Sequence, residues 1–291
     1  MNIGEKIKKI RTAKLMTQSE LAGSHITRNM LSQIENGSAQ PSIGTVFYIA
    51  EKLNVSPGFL LAGEEDEWLY FKSSEISNIK KAYADKNYRL CRDICKNSEW
   101  SDDELWLILA ECCLAVGKEE FCNGYLHSAI DLFDEALGYC KKTIYNTDVI
   151  ASSAAAYFSY MRIISPTLSS NAEDTDESPV IVLKDDFCVY SKLFCDAEEG
   201  LERGADGQNT LLTDSSYSMH LDAKKFIAEE NYQEALVLLN KLLFDDECEI
   251  AQPMLYFVFC DLEVCCKETG DFKGAYEYSQ SKIALLQKLL S

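Results

Sequence analysis

The sequence predicts an all-α chain in two unequal parts: five short helices within residues 1–63, then a helical repeat domain over residues 74–291. Three observations point there. Apolar residues recur at helical spacing, while runs that alternate like strands are scarce. After residue 86 a short pattern returns, in which a polar turn leads into a helical run carrying one small residue. Charge is also unevenly divided. Residues 1–63 hold seven Lys/Arg against four Asp/Glu, a balance of +3, which leaves 21 bases against 43 acids, −22, in the remainder of a chain of net charge −19. Such asymmetry predicts a small module that meets a polyanion and a larger one that does not.

In the first helix Ile3, Ile7 and Ile10 share one face, with the lysines and Arg11 largely on the others. Thr17 and Glu20 make a capping box for the second, which ends at Gly23. Thr27 is the expected N-cap of the third. At about 100° per residue its Leu31 and Ile34 face inward, and Asn29, Gln33 and Asn36 face outward. Asn36-Gly37 stops it. Ser42 caps a fourth helix, with Ile43, Val46, Phe47, Ala50 and Leu53 expected inside. Ser56-Pro57 opens a fifth, through Phe59, Leu60 and Leu61 to Gly63. GEEDEW, residues 63–68, is read as the hinge, in a linker placed at 64–73.

Beyond it the recurring pattern is NYRLCRDIC (87–95), GYLHSAIDLFDEAL (124–137), NYQEALVLLNKLL (231–243) and DFKGAYEYSQSKI (271–283). Three copies set Tyr88, Tyr232 or Phe272 after a polar turn, and Cys91, Ala129, Ala235 and Ala275 are small enough to let a neighbouring helix approach closely. An amphipathic helix precedes each copy, for example Trp106-Leu109-Ala110-Cys113 and Phe259-Leu262-Cys266. These spacings resemble the tetratricopeptide repeat in degenerate form, at intervals of 38 residues (Cys91 to Ala129) and 40 (Ala235 to Ala275) rather than 34 or so. The alternative is an irregular helical bundle. Residues 146–214 obey the pattern poorly, and SPTLSSNAEDTDESP is expected as an irregular acidic loop near 165–180.

MTQSELAG (16–23), ITRNMLSQIENG (26–37) and PSIGTVFYIAEKLNVSP (41–57) together resemble the Cro and lambda-repressor type of helix-turn-helix, the XRE family. The turn GSHIT is a residue shorter than in some relatives. The resemblance implies a five-helix, lambda-repressor-like DNA-binding domain whose third helix enters the major groove, where only its first turns reach base edges. Arg28 then suits a bidentate pair with guanine, and Asn29 or Gln33 one with adenine, beside Thr27 at the helix start. Gln18 matches a phosphate-contacting position of the family, and Asn36 with the backbone near Gly37 supplies further phosphate candidates. Arg11 matches an arginine that pairs with the glutamate corresponding to Glu35, so a structural Arg11–Glu35 bridge is preferred and a phosphate contact comes second. Lys6, Lys8, Lys9 and Lys14 are read as general electrostatics.

A head of this type followed by degenerate repeats resembles the peptide-pheromone-sensing regulators of Gram-positive bacteria, the Rgg, PlcR, PrgX and NprR group. What that implies is a transcriptional regulator of a palindromic double-stranded DNA operator, a homodimer, and a short peptide ligand held by asparagines, for which Asn123, Asn231 and Asn240 are the candidates. The alternative is a repeat scaffold for a protein partner, with the head serving only to target it to DNA.

Other classes find little support. The three histidines are scattered, Gly117-Lys118 lacks the rest of a phosphate loop, and no GxSxG or HExxH occurs, so no enzyme, cofactor or metal is expected. Twelve cysteines, none before Cys91 and none in a CxxC, read as reduced cytoplasmic thiols, and the apolar runs are too short and too acidic for a membrane span.

Overall fold

The computed structural model describes residues 2–63, 67–168, 185–198, 212–213, 215–245 and 250–291. The acidic stretch expected as a loop lies, from residue 169 onward, outside them. The described residues form fifteen helices and no strand. They divide into two compact units, residues 1–86 with 96–101 and residues 87–95 with 102–291.

The first unit contains α1 (Ile3–Ala13), α2 (Gln18–Ala22), α3 (Arg28–Glu35), α4 (Ile43–Leu53), α5 (Pro57–Leu61) and α6 (Glu67–Ala84). Helix α6 thus covers most of the stretch read as a linker. Asn2, Thr17, Thr27 and Ser42 each accept a hydrogen bond from the backbone of the first turn they open, and Asn2 and Thr17 complete capping boxes with Glu5 and Glu20. Each cap is worth about 1 kcal/mol, which matters for helices as short as α2. The core gathers Ile7, Leu21, Leu31, Ile34, Ile49 and Leu53, all at or below 1% exposure.

Two expectations need correction. Ile43 and Phe47 are 75% and 57% exposed, because Val46, Ile49, Ala50 and Leu53 already make the inward stripe of α4. Phe47 sits about 100° away from Val46 around the axis. Conversely Lys6 is no surface charge. It is buried, and its Nζ donates to the carbonyls of Phe59 (3.3 Å) and Ala62 (2.8 Å). An ammonium there satisfies orphan acceptors at the C-terminal end of α5, where the helix dipole favours a cation.

The second unit contains α7 (Tyr88–Lys96, through Cys95), α8 (Asp103–Cys122), α9 (Leu126–Cys140), α10 (Asp148–Ile164), α11 (Asp186–Glu198), α12 (Ser215–Ala228), α13 (Tyr232–Phe244), α14 (Gln252–Glu268) and α15 (Phe272–Leu289). Helices pack in consecutive pairs, α8 on α9, α10 on α11, α12 on α13 and α14 on α15. The turns ahead of α7, α9, α13 and α15 share one device, a left-handed residue two positions before the helix: Lys86 (φ 56°), Gly124 (φ 86°), Glu230 (φ 61°) and Gly270 (φ 84°). Glycine suits that conformation, and lysine and glutamate tolerate it at a cost. Cys91, Ala129 and Ala235 are wholly buried and Ala275 nearly so, which fits close helix approach at these positions.

The core of this unit is aromatic. The Tyr157 and Phe187 rings stack at 4.1 Å, and Phe121, Tyr160, Tyr190, Phe194 and Phe257 continue the cluster. A polar chain runs through it. The hydroxyls of Tyr160 and Tyr190 lie 3.1 Å apart, Tyr190 is 2.7 Å from His220 Nδ1, and His220 Nε2 is 3.1 Å from Asp261 Oδ2. Lys224 Nζ donates to Asp261 Oδ1 at 3.2 Å and also pairs with Glu198. In the neutral imidazole, Nε2 donates to the carboxylate and Nδ1 accepts from Tyr190. Burial pushes both tyrosine hydroxyls well above their ordinary pKa, so they stay protonated donors.

None of the eleven described cysteines is in a disulfide, and Cys112, Cys113, Cys265 and Cys266 are buried. Among the described residues no helix is long and apolar enough to cross a membrane, and no cluster of side chains suits a metal ion.

Candidate nucleic-acid interface

Helix α3 is positioned from behind by its last residue. Glu35 is 3% exposed. It accepts from Arg11 Nε (2.6 Å) on Oε1, and from Arg11 Nη2 (3.0 Å) and Gln18 Nε2 (2.8 Å) on Oε2. Arg11 Nη1 donates to the Met16 carbonyl at 2.7 Å. One carboxylate therefore ties α3 to α1 and to the first residue of α2. Burial alone would raise the Glu35 carboxyl, but the bonds from Arg11 and Gln18 and the nearby positive charges outweigh it and hold the pKa below its ordinary value. The same bond raises Arg11. Gln18, read from the sequence as a phosphate contact, is half-buried with its amide on Glu35.

Two glycines set the close approaches. A Cβ on Gly4 would collide with the Ile34 carbonyl, so α1 crosses the end of α3 backbone to backbone. A Cβ on Gly23 (φ 53°) would meet the Tyr48 hydroxyl, which donates to the Ala22 carbonyl at 3.1 Å. His25 stacks on the Tyr48 ring at 4.5 Å, pinning the turn between α2 and α3 to α4.

With α3 so fixed, its outer side is open. Thr27 Oγ1 accepts from Met30 N at 3.1 Å, and Arg28, Asn29, Gln33 and Asn36 are exposed. Asn29, Gln33 and Asn36 fall within about 60° of one another, opposite Leu31 and Ile34, and Arg28 stands at the first turn. The Gln33 carbonyl receives Ser38 N (2.8 Å) and Ala39 N (3.2 Å), which folds the following loop back beside the helix end. Exposed Lys8, Lys9 and Lys14 leave the unit positive.

The asparagines expected to hold a peptide sit differently. Asn123 stands at the C-terminal end of α8 and Asn231 just before α13, where its side chain makes no capping bond, and both are exposed. Asn240, inside α13, donates to the Leu236 carbonyl at 2.8 Å and accepts from Tyr278 at 3.4 Å. Periodicity could not find the Gln18–Glu35 bond, the buried Lys6 or the His220–Asp261 pair, since each joins elements distant in sequence. Gly4 did leave a signal, a glycine in an otherwise favourable helix.

Residues 7–60 match the Helix-turn-helix family. The HTH-type transcriptional activator BcrR of Enterococcus faecalis is 33% identical over 84 residues, 28% of this chain and 41% of BcrR, so the chain spans about two fifths of that relative's length. Among solved structures, Bacillus thuringiensis PlcR in complex with the peptide PapR7 and DNA aligns over 99% of this chain and 96% of its own at 15% identity and a TM-score of 0.24. Apo ComR from Streptococcus vestibularis aligns over 97% and 91% at 17% identity and a TM-score of 0.22. Structural likeness that weak bears on neither ligand nor mechanism. The amino-terminal part of the chain is a helix-turn-helix domain.

Proposed function

We propose that this chain is a sequence-specific DNA-binding transcriptional regulator whose helical second unit dimerises and responds to a short peptide. The observation that carries the first half is α3. It lies within the matched residues 7–60, is anchored through Glu35, and holds Arg28, Asn29 and Gln33 out to solvent on its first two turns. Long donors and acceptors there can pair bidentately with guanine or adenine in the major groove. Gln18 and Asn36 flank the helix and are the candidates for phosphate contact. A glutamine amide bonded to Glu35 still has a second N–H to give.

A single reading helix contacts few base pairs, so two copies on half-sites about 34 Å apart are the economical arrangement, and the operator is then palindromic. Paired helices in tandem give the second unit a surface suited to an extended ligand, and a ligand that prefers one dimer geometry shifts the population toward it and alters operator affinity. The test is selection of duplexes from a random pool by the full chain. A palindromic motif with two half-sites supports the reading, and recovery of random sequence at moderate salt rejects it.

A further inference from the structure

We propose that the groove between α7 and α9 takes the carboxyl-terminal end of a short peptide, with Arg89 and Arg92 receiving the terminal carboxylate and Asp131 a cationic side chain. This rests on the reading of the second unit as a peptide sensor and gives that sensor a place and a chemistry.

The groove is a cavity of about 380 Å³, open to solvent and lined by Arg89, Arg92, Val116, Asp131, Leu132 and Glu135. Its size lies in the range of about 300–1,000 Å³ usual for ligand sites. Val116 and Leu132 are almost fully buried and give it an apolar floor. The two arginines stand one helical turn apart on α7, so both reach the same space.

Their existing partners do not exhaust them. Nε and Nη2 of Arg92 converge on a single oxygen, Glu135 Oε2, at 3.3 and 2.7 Å, and the Cys113 thiol donates to that oxygen too. Arg89 has a half-exposed side chain and pairs with Glu119 and Glu120 through Nε and Nη2. Its Nη1 makes no hydrogen bond among the described residues. A planar guanidinium with unused donors is matched to a carboxylate. Across the groove Asp131 is exposed and has no ion pair or hydrogen bond among the described residues, and the Ser128 hydroxyl beside it is likewise unused.

Charge selects among anions. Glu119, Glu120, Asp131 and Glu135 surround the two guanidiniums, so a multiply charged phosphate would meet net repulsion. A monoanion that brings its own cation leaves the balance unchanged. The open side of the cavity lets a chain run out, which favours a peptide end over a free amino acid.

The experiment is calorimetric titration of the full chain with acetyl-Leu-Leu-Lys as the free acid, its carboxamide, acetyl-Leu-Leu-norleucine acid, and L-lysine. The free acid is expected to bind about tenfold more tightly than the carboxamide and than the norleucine peptide. Arg89→Gln should erase the preference for acid, and Asp131→Asn the preference for lysine; neither side chain is buried. Operator binding is measured in parallel with pooled random hexapeptides. A response to the pool without discrimination between acid and amide overturns this assignment and leaves peptide sensing standing. Absence of any binding or response overturns both, and L-lysine binding as tightly as the peptide overturns the peptide end as occupant.

Discussion

Both units bury charge, but they use it differently. In the helix-turn-helix unit one carboxylate, Glu35, takes two bonds from Arg11 and one from Gln18, and the three residues belong to the three helices that set the reading surface. In the second unit the buried polarity is a chain, Tyr160, Tyr190, His220, Asp261 and Lys224, threaded through aromatic rings of four helices that carry no part of the candidate ligand groove. The first network orients a site from directly behind it. The second fixes the register of successive helix pairs, because a shift of any one of them strands a buried polar group.

The sharpest way to break the comparison is to remove one charge from each network. Arg11→Ala leaves Glu35 buried with only the Gln18 amide, and Asp261→Ala strands His220 and one side of Lys224. The first is expected to cost about 3–5 kcal/mol, the usual penalty for an uncompensated buried charge. The second is expected to cost about 1–3 kcal/mol, because Lys224 keeps Glu198 and what is stranded is the His220 N–H. In calorimetry each should lower the transition of its own unit alone. If both substitutions moved a single shared transition equally, the two networks would be parts of one cooperative body.

The next effect is functional. Arg28→Ala should leave stability unchanged, since the side chain is exposed, and relax preference at one base position per half-site by about 1–3 kcal/mol. An equal loss on every duplex in a competition assay would instead make Arg28 a phosphate contact.

A pH titration sharpens the role of Glu35. Its folded pKa lies below the unfolded value of about 4.3, so the stabilisation is fully present above that value and is lost as pH falls through the folded pKa. Denaturant melts of the first unit should therefore weaken on acidification below about pH 4, and Glu35→Gln should flatten that slope. An unchanged slope in Glu35→Gln would place the acid sensitivity elsewhere.

Much of this was legible in the sequence because it is local. The capping residues Thr17, Thr27 and Ser42 act within four residues of themselves, and each small residue of the repeats is the fourth of its helix. The exposure of Asn29 and Gln33 follows from helix period alone. What escaped is non-local or one-sided. Lys6 reads as a surface lysine until α5, more than fifty residues later, presents its carbonyls. Ile43 and Phe47 read as core because they are apolar, yet the inward stripe of α4 was already full. The arginines of the groove leave no mark in the helix period, since the acids that pair with them and the floor beneath them come from two other helices.

The smallest expected effect tests whether the repeat turns are as local as their pattern suggests. Gly124 and Gly270 occupy left-handed positions where Glu230 stands in the third copy at φ 61°. If the turn geometry is imposed by the packed helices on either side, Glu230→Gly should relieve the strain of a side chain in that conformation and raise the stability of the second unit by about 0.5–1 kcal/mol, net of the greater freedom glycine gives the unfolded chain. That gain would raise the midpoint of urea unfolding without altering its slope. A loss instead would mean that the glutamate side chain contributes more to the turn than its backbone costs, and the four turns would then share a shape for different reasons.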